Sequence, residues 1–210
     1  MKTFFRQDEK LLFIGDSITD AGRTNHMPPY GEGYVAFFRL LMMARHPELD
    51  LNYINEGIAA NTLEGLSLRW ERDVIMVNPD RLFIMIGIND SVQHLSSRKD
   101  PGVLYKSFRE TLTNLILRAK ENGIFPIYLL SPFYIHADNS TPLWKVTCEY
   151  ADIIKDIAQS NDIVFLDFHH YFREHTCLRA PGYWSNDGIH PLPHAHLLIA
   201  EKIYRELYDE

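Results

Sequence analysis

Three side chains from opposite ends of the 210-residue chain could together perform nucleophilic chemistry: Ser17 near the start, and Asp187 and His190 near the end. A free serine hydroxyl is a poor nucleophile at neutral pH and needs a neighbouring base. An aspartate bonded to one ring nitrogen of a histidine fixes its tautomer, and the other nitrogen can then take the hydroxyl proton. Asp187 and His190 stand three residues apart in WSNDGIHP (184–191), so a single turn can bring carboxylate and imidazole together. Ser17 stands in FIGDSITD (13–20), where an apolar run gives way to polar residues. Taken singly, each has an ordinary reading. Ser17 could cap a helix, Asp187 could make a turn before Gly188, and His190 could be a surface histidine.

Acyl transfer also needs N–H donors aimed at the oxyanion that forms on the attacked carbonyl. The backbone N–H of Ser17, at a strand-to-helix corner, is one candidate. Gly57 lets backbone approach a substrate closely. Asn89 carries a neutral side-chain amide that can donate. Each could equally serve a turn, but their placement in the chain favours a common site.

That placement follows from the apolar pattern. Five short runs rich in β-branched and aromatic residues recur: LLFIG (11–15), LNYIN (51–55), RLFIMIG (81–87), FPIYLLS (125–131) and DIVFLD (162–167). They do not alternate strictly, as expected for parallel strands covered on both faces. Segments 63–77, 103–122, 143–160 and 192–208 carry helical spacing; in the first, Leu63, Leu66, Trp70, Val74 and Val77 recur with Glu64, Arg69, Glu71 and Arg72 between them. The alternation predicts one domain over 1–210, an α/β three-layer α/β/α sandwich around a central, mostly parallel five-stranded sheet. Ligands of such sheets bind beyond the carboxyl ends of the strands. Ser17, Gly57 and Asn89 each follow such an end.

In order along the chain, FIGDSITD (13–20), NEGIAANT (55–62), GIND (87–90) and DGIHP (187–191) resemble the four sequence blocks of the SGNH (GDSL-type) hydrolases. The resemblance implies the flavodoxin-like fold of that family. It also implies Ser17 as nucleophile, His190 as general base and then acid, and Asp187 as its orienting partner. Ser17, Gly57 and Asn89 are implied as oxyanion donors, with no metal or organic cofactor. One departure stands in the second block, where Ala59 and Ala60 replace the usual Ser and Gly of N-x-G-x-S-G-x-T. Only the Gly57 backbone is required for the donor role, so the change reads as local packing, and Asn61 and Thr62 read as structural. GEGYVAF (31–37), RWERDVI (69–75), IMIGIND (84–90) and SPFYI (131–135) are more narrowly similar to the intracellular acetylxylan esterases of the family. That implies removal of acetyl groups from short xylo-oligosaccharides, and loosely a homo-oligomer.

The remaining features narrow the partners. A formal net charge of −7 lacks the basic footprint that nucleic acid demands. No apolar stretch approaches a membrane span, and the first apolar run is too short for a secretory signal, so a cytoplasmic location is expected. Two cysteines, Cys148 and Cys177, make no disulfide framework. The segments 24–34, 132–144 and 180–187 mix aromatic and polar residues, which suits a polar ligand held against flat rings. Asp16 and Trp184 are candidate substrate contacts there. No long apolar lid points to lipids, although a lysophospholipase or thioesterase remains the alternative within the fold. Two further alternatives are a metal-dependent phosphoesterase, using Asp16, Asp20, Asn89, Asp90, His190, His194 and His196, and a sugar-binding module without catalysis. No G-x-S-x-G elbow occurs, which disfavours an ordinary α/β-hydrolase.

Overall fold

The computed structural model describes residues 5–208. Five parallel strands, β1 (Lys10–Gly15), β2 (Asn52–Gly57), β3 (Arg81–Met85), β4 (Ile127–Leu130) and β5 (Val164–Leu166), form one sheet in the order β2-β1-β3-β4-β5. Side chains alternate across β1. Leu11 and Phe13 enter a core shared with α2 (Tyr34–Arg45), α7 (Phe168–Leu178) and α8 (Pro193–Tyr208). Leu12 and Ile14 enter a second core with α3 (Leu63–Trp70), α5 (Pro101–Glu121) and α6 (Pro142–Ser160). Two apolar layers on one sheet give the expected α/β/α sandwich, and both faces of β1 and β3 are buried.

The chain leaves β1 for β2 on one side and later enters β3 on the other, so the connections diverge beyond β1 and β3. Crevices form at such a switch point. Two short elements border it: α1 (Ser17–Asp20), which follows β1, and α4 (Ile88–Ser96), which follows β3.

The expected helix over 63–77 is broken in two. Regular α3 stops at Trp70 and a π turn continues over Glu71–Ile75. The structure adds helices α2, α4 and α7 to the four segments expected from spacing. Helix α2 has apolar side chains on its exposed side too (Leu40 and Met43), α7 is built from histidines and aromatics, and α4 begins inside GIND. Packing on neighbouring helices, α2 against Pro193–Tyr208 and α4 against α6, stabilises them.

Candidate active site

Asp16 opens the nucleophile corner. It is the N-cap of α1, its carboxylate accepting the Ile18 N–H at 3.0 Å. Ser17 is therefore the first helical residue, where an N–H has no partner in the helix and faces outward. The capping role weighed for Ser17 falls to Asp16. Asp16 is 1% exposed, which removes it from the expected substrate contacts: it holds the corner from beneath. Burial, with the charge of Asp90 nearby, pushes its carboxyl up to about 7 against the Ile18 hydrogen bond and the charge of His190.

The histidine arrives on a tight turn. Asp187 Oδ1 accepts the N–H groups of Ile189 (2.9 Å) and His190 (2.8 Å) and the hydroxyl of Ser185 (3.1 Å). Gly188, at φ +81°, makes the turn possible; a Cβ there would lie 2.5 Å from the Tyr134 ring. Its carbonyl accepts the Ile135 N–H at 2.8 Å, which fixes the turn to the loop beyond β4. The other carboxylate oxygen, Oδ2, lies 2.6 Å from His190 Nδ1, and His190 Nε2 lies 2.9 Å from Ser17 Oγ. Partial burial works against the charge of Asp187. The hydrogen bonds from the imidazole and the two N–H groups outweigh it and hold the carboxyl well below the usual range. Half of the Asp187 and His190 side-chain surfaces stays open to solvent. A hydroxyl, a base and an orienting carboxylate thus form one bonded line at the rim of the crevice.

The donors need one correction. The Gly57 N–H donates to Asn55 Oδ1 at 2.9 Å in a buried bond, so it is spent inside the protein and cannot serve an oxyanion. Gly57 is glycine for a different reason: a Cβ would lie 2.0 Å from the Asp20 nitrogen and 2.5 Å from the Thr19 carbonyl carbon. The end of β2 packs directly on α1. Three residues on, Ala60 is exposed, takes a left-handed φ of +60°, and among the described residues its N–H meets no acceptor. Ala60 stands where the second block usually has glycine, and its conformation is the one glycine adopts most easily. Alanine there conceals that signal from sequence reading.

Asn89 lies at the start of α4. Its Nδ2 donates one hydrogen to the Asn61 carbonyl at 3.1 Å, leaving the second for another acceptor. Asp90 accepts the Leu63 N–H with both oxygens at 3.2 Å, joining α4 to the start of α3, and burial pushes its carboxyl up to about 6. Thr62 caps α3. Its structural reading holds, whereas Asn61 supports Asn89.

Trp184 is 8% exposed, and its indole N–H is shared by the carbonyls of His175 and Arg179 at 3.1 and 3.2 Å. It belongs to the core rather than to a substrate surface. The C-terminal histidines diverge: His190 faces Ser17, His194 the Tyr183 carbonyl, and buried His196 accepts the Tyr34 N–H. Among the described residues no group of three His, Cys, Asp or Glu side chains could hold a metal ion.

This fold and corner define a hydrolase class, and the chain belongs to the GDSL-like lipase/acylhydrolase family, which it matches over residues 13–198. It is 37% identical, over 95% of its length and 94% of the relative's, to an acetylxylan esterase of Geobacillus stearothermophilus. A crystal structure of an acetylxylan esterase from that organism superposes with a TM-score of 0.88 at 36% identity, covering 97% of this chain and 96% of that one. Its catalytic mutants replace a serine, an aspartate and a histidine, the last two three residues apart, as Asp187 and His190 are. An α/β hydrolase from the Lake Arreo metagenome superposes equally well, at 30% identity over 97% of this chain and 96% of that one.

Proposed function

We propose that the chain is a serine acetylesterase that removes acetyl groups from short acetylated xylo-oligosaccharides. The observation that carries this reading is the unbroken line from Ser17 Oγ through His190 to Asp187, at 2.9 and 2.6 Å. Ser17 Oγ attacks the acetyl carbonyl as His190 Nε2 takes its proton, and Asp187 steadies the imidazolium. The oxyanion is met by the N–H groups of Ser17 and Ala60 and by the free hydrogen of Asn89 Nδ2. The carbon–oxygen bond to the sugar breaks, and the sugar oxygen leaves with the proton from His190. Water, deprotonated by His190, then attacks acetyl-Ser17 and releases acetate.

Sugar as the alcohol is supported by the acetylxylan esterase relative, which the chain matches over 95% of its length.

The catalytic unit is read as one domain, with no nucleic-acid or membrane partner. Among the described residues no helix is long and apolar enough to cross a membrane. Free Cys148 and Cys177 fit a reducing cytoplasm. Exposed Leu40 and Met43 on α2 fit self-association into a homo-oligomer, which sedimentation velocity tests.

The function itself is tested with 4-nitrophenyl esters of increasing acyl length beside acetylated xylo-oligosaccharides. Preference for acetyl and release of acetate from the sugar are expected. Preference for octanoyl or longer chains, with no acetate released, would replace this reading by the lysophospholipase or thioesterase alternative.

A further inference from the structure

The donors proposed above sit on three separate turns, after β1, after β2 and after β3, and nothing in a parallel sheet by itself fixes those turns relative to one another. One side chain bonds the first two directly and reaches the third through Asn61. Arg69, on α3, is 8% exposed and directs its guanidinium beneath the crevice. Its Nη2 donates to the Gly15 carbonyl at 2.9 Å, two residues before Ser17. Its Nη1 donates to the Glu56 carbonyl at 2.8 Å, at the end of β2 where the 58–61 turn begins. Its Nε donates to Asn61 Oδ1 at 2.7 Å, and the Asn61 carbonyl in turn holds Asn89 Nδ2.

We propose that Arg69 is the positioning residue of the oxyanion site, its buried guanidinium setting the distances between the turns that carry Ser17, Ala60 and Asn89. The proposal rests on the serine-esterase reading above.

The chemistry explains the residue type. A guanidinium presents five N–H donors in a rigid plane, so the Gly15 and Glu56 carbonyls and the Asn61 side chain are held at fixed mutual angles. A lysine ammonium is a point charge on a flexible stem and cannot fix them so. The buried charge is balanced by Asp73, whose Oδ2 accepts from Nη1 at 2.9 Å. Asp73 is itself 5% exposed and lies in the π turn that follows α3. Such turns often mark places where a helix is bent to aim a functional group. Here the irregular turn carries the carboxylate that anchors the cation. Arg23 completes the tie from the other side of β2, donating to the Gly57 carbonyl at 2.9 Å and to the Glu56 carboxylate at 2.8 Å.

The consequence is specific to the transition state. Oxyanion donors contribute only where they point at the developing charge, and a displacement of about 1 Å can cost about 10²-fold in rate. Loosening Arg69 therefore lowers kcat while the His190–Asp187 pair, on a separate turn, keeps its bonds.

The test uses Arg69→Lys and, because loss of one buried ion can unfold a protein, the paired variant Arg69→Met with Asp73→Leu, which removes both charges together. With 4-nitrophenyl acetate, and active sites counted by fluorophosphonate burst, both variants should show kcat lower by about 10–10²-fold with KM within about twofold. Inhibition by phenylboronic acid, which places a tetrahedral oxygen among the donors, should weaken by a similar factor. The pH midpoint of kcat should not move. A residue that only stabilises the fold would lower the melting temperature while leaving kcat per active site and boronate inhibition as in the parent, and that result overturns the proposal. Ser17→Ala separates the two levels of the argument. If it stays active, the esterase mechanism fails; if it is inactive while the Arg69 variants keep full kcat, only this inference fails.

Discussion

Replacing Asp187 by Asn keeps the shape of the catalytic turn and changes one property, the direction of a hydrogen bond. Asp187 Oδ1 accepts three donors, including the backbone N–H groups of Ile189 and His190 at 2.9 and 2.8 Å. In the variant the carbonyl oxygen of the amide must stay there, so the NH2 group faces His190 Nδ1. That makes Nδ1 an acceptor and puts the ring hydrogen on Nε2, pointing at Ser17 Oγ, where no proton can then be taken. Rotating the amide to restore the tautomer breaks the two backbone bonds, at about 0.5–1.5 kcal/mol each, or roughly 1–3 kcal/mol together. Losing the charge opposite the imidazolium adds up to about 1 kcal/mol, kept small because both side chains are half exposed and screened. The sum is about 1–4 kcal/mol, which predicts a fall in kcat of about 5- to 10³-fold at nearly unchanged KM. Steady-state hydrolysis of 4-nitrophenyl acetate measures it, with circular dichroism to show that the variant is folded. A kcat within threefold of the parent would show that His190 needs no orienting carboxylate, and the reasoning would fail.

Asn89→Ala should lower kcat by about 10²–10³-fold while the melting temperature moves little, since the donor and not the fold is lost; an unchanged kcat would remove Asn89 from the oxyanion site. Gly57→Ala keeps the backbone N–H but sets a Cβ 2.0 Å from the Asp20 nitrogen, so it should destabilise the protein by about 1–3 kcal/mol or more and displace Ser17. A variant as stable and active as the parent would contradict that packing. Among the described residues buried His169 has no hydrogen-bond partner on either ring nitrogen, and burial, with His170 beside it, pulls it down to about 4. The folded protein therefore keeps this ring neutral while the unfolded chain takes up a proton below about 6.5, so stability is lost as pH falls from about 6.5 to 4. The gap in urea-unfolding free energy between the parent and His169→Phe should change in favour of the variant by up to about 3 kcal/mol across that range; a gap independent of pH would refute the account.

The strands are readable in the sequence because burial on both faces leaves uninterrupted apolar runs, and the reactive residues because they follow those runs at the carboxyl edge. What the sequence hides are functions that depend on backbone direction. Gly57 looks like a donor because glycine permits close approach; the approach is to α1, and the N–H turns inward to Asn55. The exposed N–H belongs to Ala60, whose left-handed φ no alanine advertises. Arg69 reads as part of the polar stripe of an amphipathic helix, yet it is buried because four hydrogen-bond acceptors converge on it. Trp184 reads as an aromatic rim residue, but two carbonyls satisfy its N–H within the core.

The most direct measurement of the central claim is peptide mapping by mass spectrometry after reaction with a fluorophosphonate, run beside acetate release. The account predicts one adduct per chain, on Ser17, appearing as hydrolysis disappears, and neither adduct nor turnover in Ser17→Ala. An adduct on another residue, or acetate release by Ser17→Ala at the parent rate, would contradict it.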